Sequence, residues 1–133
     1  MNTSFLVLKN CTAAPLASLP CPEFSEFRKA LIQAVAEKKM RVSSFFALQE
    51  KEGHKLIAVL ADDASSSLCL ISAVVGSSYE SLTKECPQFH WFEREIAEQS
   101  GIMPLGHPWL KPIRFHKTMN GAPDVWGRAG EPV

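Results

Sequence analysis

Glu93, Arg94 and Glu95 stand in a row, with His107 downstream between Gly106 and Pro108, and these residue types are the ones most able to do chemistry in this chain. Carboxylates beside a guanidinium serve acid–base work or charge recognition, and an imidazole titrates near neutrality. Spacing decides between those uses. Consecutive residues on a helix point about 100° apart, so the three cannot converge on one reacting atom. Arg94 and Glu98 are spaced i, i+4, as are Glu95 and Gln99, which suits a solvated pair. It equally suits a clamp on a charged partner or on the loop at His107. His107 itself fits a turn-fixing hydrogen bond, a subunit contact or a proton relay. No nucleophile or oxyanion cradle adjoins these residues, so no catalytic residue is assigned. The patterns G-x-x-x-x-G-K-[ST], G-x-G-x-x-G and G-x-S-x-G, which carry nucleotide and serine-hydrolase chemistry, are absent. Asp62-Asp63 follows an apolar run and reads as a turn rather than a catalytic carboxylate pair.

A helix must position the charged triplet. Pro87 suits a first helical position, where its missing N–H has no partner to lose. Phe89, Phe92 and Ile96 then share one face, and Gly101 fits a left-handed stop. Beyond it lies a turn on Gly106-His107-Pro108 and a second proline-bearing segment, Trp109 to Phe115. So much apolar and charged material on a short helix and its exit loop predicts a surface that another polypeptide covers. Of Trp91, Trp109 and Trp126, one is expected in the core. The other large rings, in the loop and tail, are expected as interface anchors.

The run Trp91-Phe92-Glu93-Arg94-Glu95-Ile96, then Gly101-Ile102, then Gly106-His107-Pro108-Trp109-Leu110, resembles the signature of the 30 kDa subunit family of respiratory complex I, the NADH dehydrogenase. The match is close over about thirty residues. Related domains occur in formate hydrogenlyase-type membrane-bound [NiFe] hydrogenases. Glu98-Gln99-Ser100 departs from the aspartate and aromatic usual before the G-I of complex I members. The ending, Asn120 to Arg128, departs from their basic continuation. Both departures tilt the resemblance toward the hydrogenase branch. It implies an α+β fold and a non-catalytic structural or assembly subunit of an oxidoreductase complex. Such a subunit packs against the large subunit, with iron–sulfur subunits as neighbours, and carries no cofactor of its own. It would sit on the cytoplasmic face of the inner membrane, held there by other subunits. The residues expected at that contact are Glu93, Arg94, Glu95, His107, Pro108 and Trp109. The 30 kDa subunit of an NADH:quinone oxidoreductase, complex I proper, is the nearest alternative. A small stand-alone enzyme with a pocket near His107, and the front domain of a longer hydrogenase large subunit, are the others.

The 133 residues fit one domain with a real core. Fourteen basic and fourteen acidic residues give no excess for displacing counterions from nucleic acid. The N-terminus lacks the features of a signal peptide, and the apolar run Leu68–Val75 is far shorter than the roughly 20 residues of a membrane span. Cys11, Cys21, Cys69 and Cys86 form no C-x-x-C pair, and no metal site is expected; free thiols are.

The remaining pattern predicts an edge strand or arm over 4–9, a loop over 10–21, and a helix from Pro22 to Lys39 with Phe24, Phe27, Leu31, Ala34 and Val35 as its buried stripe. Strands follow over Arg41–Gln49, Lys55–Ala61 and Leu68–Gly76, joined by polar turns. The third is apolar enough to be covered on both faces, by a helix on one side and a partner on the other. The fold expected is an α+β two-layer sandwich of a mainly antiparallel sheet with helices, over residues 1–116, plus an extended C-terminal tail over 117–133.

Overall fold

The structure, a computed structural model, describes residues 4–114 and 116–128; Phe115 and the tail beyond Arg128 lie outside the described residues. Four strands form an antiparallel sheet in the order β1-β4-β3-β2, with β1 Leu6–Lys9, β2 Arg41–Gln49, β3 His54–Asp62 and β4 Ser67–Val75. Two helices, α1 (Phe24–Ile32) and α2 (His90–Ser100), pack on one face of it. A parallel pair, β5 (Ser78–Glu80) and β6 (Met103–Leu105), brackets α2 in sequence. The α+β two-layer arrangement expected from the sequence is the one observed.

Local chemistry explains the strands. Phe45, Ala47, Leu56, Ala58, Leu60, Ile71 and Ala73 alternate inward to meet Phe27, Leu31, Phe89 and Ile96 in one apolar cluster. Phe45 lies at its centre. Its ring meets Phe89 edge-on at 5.2 Å and Tyr79 edge-on at 6.4 Å, a geometry that adds to simple burial. Asp62 makes its turn through its own carboxylate, which accepts from Ala64 N–H and Ser65 Oγ, while Asp63 pairs with Arg41. The carboxylate pair is a turn, as the sequence indicated. Gly53 closes the β2–β3 turn at φ 81°, where a Cβ would sit 2.9 Å from the Val75 carbonyl.

Two differences from expectation are instructive. The first helix keeps α geometry only to Ile32. From Gln33 to Glu37 it widens into a π turn, with Lys38 N–H reaching the Gln33 carbonyl at 3.2 Å. The extra residue feeds directly into the reversal at Lys39 (φ 59°) that starts β2. The second concerns β4, where part of the face expected to meet a partner is taken by this chain's own loop. Pro20 lies on Ser72, accepting its N–H at 2.8 Å and its Oγ at 3.0 Å, and Ser72 is fully buried. Val74, on the same face, is 52 % exposed. No helix among the described residues is long and apolar enough to cross a membrane.

Candidate functional site

The site is built on α2. A 3-10 turn at Pro87–Phe89 delivers the chain into it, and Gly101 ends it in the left-handed conformation (φ 66°). Phe89 and Ile96 point into the core, as their spacing requires. The helix also buries three ionisable side chains, Glu93, Arg94 and Glu98, and each of them holds a piece of non-regular chain.

Glu93 is completely buried. One of its oxygens accepts from Ser81 Oγ (2.8 Å), Leu82 N–H (3.0 Å), Thr83 N–H (2.8 Å) and Thr83 Oγ. Successive backbone amides converging on one carboxylate oxygen form an anion nest that fixes the segment entering α2. The other oxygen and the Tyr79 hydroxyl are both buried without a hydrogen bond of good geometry among the described residues. Burial, and then the charge of Glu93, holds the Tyr79 phenol well above its ordinary value, so it stays protonated.

Arg94 and Glu98 work on the exit segment. Arg94 donates from Nε to the Lys111 carbonyl (2.8 Å) and from Nη2 to the Pro112 carbonyl (3.1 Å). One turn on, Glu98 accepts the N–H groups of Ile113 and Arg114, both at 2.9 Å. A cation therefore takes two carbonyls and an anion the next two amides of one extended stretch. The solvated Arg94–Glu98 pair does not form; both side chains instead tie down the segment after His107. Glu95, on the outer flank, pairs with Arg114 at 2.7 Å.

His107 is locked in one tautomer. Its Nδ1 accepts the Trp109 N–H at 3.1 Å, so its Nε2 carries the proton and donates to the His90 carbonyl at 3.2 Å. The ring of His90 lies between His107 (5.2 Å) and Trp109 (5.9 Å). Burial, then the neighbouring His107 and Arg94, pushes His90 below the usual imidazole value.

The tryptophans depart from expectation, since none of the three is buried in the core. Trp91 is 62 % and Trp109 55 % exposed, and the Arg94 guanidinium sits between them, 4.9 Å from one ring and 5.4 Å from the other. Core space that a tryptophan would need is already filled by Phe27, Phe45 and Phe89. Beside Trp91 runs a shallow groove lined by Thr83, Lys84, Pro87, His90 and Pro108.

The six residues singled out in the sequence thus fall into two sets. Glu95, His107, Pro108 and Trp109 lie at or near the surface around the groove and the exit loop. Glu93 and Arg94 are interior posts that shape that surface from behind. Sequence reasoning missed Ser81 and Thr83, the ligands of Glu93; their small polar character just ahead of a proline-started helix was the available signal. It also missed Asp124, buried at 7 % exposure, which accepts from Trp126 N–H, Arg128 N–H and the Arg128 guanidinium. This knot lies against the end of α2, where Met119 N–H reaches the Gln99 carbonyl and Val125 N–H the Ala97 carbonyl. Among the described residues no group of three potential metal ligands is found.

The site thus consists of buried charges that organise loops, with exposed aromatic rings in front of them. A comparison with family models matches residues 25–124 to the respiratory-chain NADH dehydrogenase, 30 Kd subunit family. The chain belongs to that family, a peripheral subunit of complex I-type redox assemblies whose other subunits are its implied partners. A search of curated proteins gave no match.

Proposed function

We propose that this chain is a non-catalytic structural subunit, or domain, of a formate hydrogenlyase-type [NiFe] hydrogenase, and that it packs against the large subunit through the first turn of α2 and the exit loop that folds back onto it. The observation that carries the docking reading is the pair Trp91 and Trp109, large rings left in solvent but stiffened by a buried arginine between them. Exposed aromatics held in place lose little freedom on binding, which is what makes such residues interface anchors. Pro108, His107 and Glu95 complete the contact, while Glu93 and Arg94 hold its shape from within. The hydrogenase branch is favoured over NADH:quinone oxidoreductase by Glu98-Gln99-Ser100 ahead of Gly101 and by the composition of Asn120–Arg128, where a basic run would be expected. Iron–sulfur centres and the route to quinone or protons belong in this reading to neighbouring subunits, which hold the assembly to the cytoplasmic face of the membrane. A stand-alone enzyme fits less well. Its pocket would need converging free polar groups, whereas Arg94 and Glu98 spend theirs on backbone and Glu93 is sealed from solvent.

The test is affinity purification from the native host with partners identified by mass. The double variant Trp91→Ala, Trp109→Ala should fold normally and recover much less of the large subunit. Undiminished recovery overturns the site. A co-purifying quinone-reductase set, with no hydrogenase large subunit, moves the chain to the complex I assembly.

A further inference from the structure

We propose that the free edge of β2 accepts a further β-strand, and that in the isolated protein the strand comes from a second copy of this chain, paired antiparallel about Ala47. The two edges of the main sheet are treated differently. At one edge β1 has four residues, and where it ends Pro20 takes over and accepts the Ser72 N–H. At the other edge β2 runs for nine residues with β3 alone beside it among the described residues. Its outward groups follow from the hydrogen-bond alternation of antiparallel pairs. Glu50 N–H bonds the Gly53 carbonyl at 3.1 Å, so Leu48 and Phe46 face β3 with their main-chain groups. The N–H and C=O of Phe45, Ala47 and Gln49 therefore point away from the sheet. The Ser72 N–H turned to Pro20 at the opposite edge requires the same parity through β3. Among the described residues no backbone or side-chain hydrogen bond is made to these outward groups.

Sheet edges are usually protected by charge, proline, a bulge or shortness. β2 has a bulge between Val42 and Ser44, and from Ser44 to Gln49 it has neither charge nor proline. A ready template of six residues remains. Three features point to a second copy as its occupant. Pairing about Ala47 sets Phe46 of each copy opposite Leu48 of the other, joining two part-buried apolar side chains on the face away from the helices. The same register brings exposed Arg41 of each copy, already paired with Asp63 of its own chain, beside the other's Glu50-Lys51-Glu52 turn, which carries net negative charge. Finally, equal numbers of acidic and basic residues leave no net repulsion between copies.

Sedimentation equilibrium of the intact chain across a wide concentration range should show a reversible monomer–dimer equilibrium. Gln49→Pro removes one outward N–H that the fold does not use, and Leu48→Lys places a charge opposite Phe46. Each should weaken the dimer at least tenfold while leaving the circular dichroism spectrum unchanged. Hydrogen exchange on the unaltered protein reads the same point without any substitution. The amides of Phe45, Ala47 and Gln49 should gain protection as concentration rises. A chain that stays monomeric throughout, as it would if the strand were supplied by a different polypeptide, overturns the proposal. So does a dimer whose formation leaves those three amides unprotected, or one that survives both variants. Trp91→Ala with Trp109→Ala should leave the dimer intact, so this inference and the docking proposal fail independently.

Discussion

The two helices lie on the same sheet face but bury different material. α1 buries Phe27 and Leu31, leaves Lys29 in solvent and sends one charge outward, Arg28, to the Ser81 carbonyl at 2.8 Å and Glu85 at 2.7 Å, so the residues it buries fully are apolar. α2 buries apolar residues too, yet its interior includes Glu93, Arg94 and Glu98. Apolar contact tolerates small changes of shape. A buried charge does not tolerate loss of its partners, because the desolvation cost remains after the bond is gone. The difference lies in where the charge sits: α1 reaches the Ser81 loop from a part-buried Arg28, whereas α2 organises the surrounding loops from buried positions.

The contrast is broken most strongly at Glu93. Replacing it with Leu strands the Ser81, Leu82 and Thr83 donors together and should cost ~4 kcal/mol in urea unfolding. Lys29→Ala on α1, by comparison, should stay within about 0.5 kcal/mol. Leu31→Ala probes the apolar side of the comparison and should cost ~3 kcal/mol through the cavity it leaves. It should leave the exchange rates of the Ile113 and Arg114 amides ranked as before. Glu98→Gln is smaller, about 1–2 kcal/mol, since one carbonyl oxygen can still accept; its signature is faster exchange at those same two amides. An outcome with Glu98→Gln silent at both amides would remove the loop-holding role assigned to α2.

The smallest effect is a pH slope. His90 is held low by burial, His107 and Arg94, with Glu93 pulling the other way. The unfolded chain then takes up a proton before the folded one, so stability declines as pH falls below about 6.5 and levels off once the lowered value is passed. His90→Gln should flatten that decline in urea midpoints compared at neutral and mildly acidic pH. An unchanged slope assigns it to another group.

The four strands of the main sheet and both helices were readable from the sequence because their signals are local; β5 and β6, three residues each, were not, because they pair segments far apart in the chain. Arg41–Gln49 is bounded as expected, and Asp62 announces its own turn. What could not be read is which charges go inside. Glu93, Arg94 and Glu95 are indistinguishable as a string. Their fates depend on Ser81–Thr83 and Lys111–Arg114, segments that reach α2 only through the tertiary fold. The tryptophans failed for a related reason. A large apolar ring predicts burial unless one knows that phenylalanines already occupy the interior. The arrangement of the candidate site was therefore not legible, although the residues that compose it could be named.

Gly101 shows how tightly the last of these segments is fitted. A Cβ there would stand 3.0 Å from the Pro123 carbonyl, at a φ that side chains already resist. The hinge at the end of the helix has been filed down to bare main chain so that the returning strap can lie flush. Any methyl added there acts as a wedge. It would lift Asp124 and its Arg128 clasp away from the helix end while leaving the sheet beneath undisturbed.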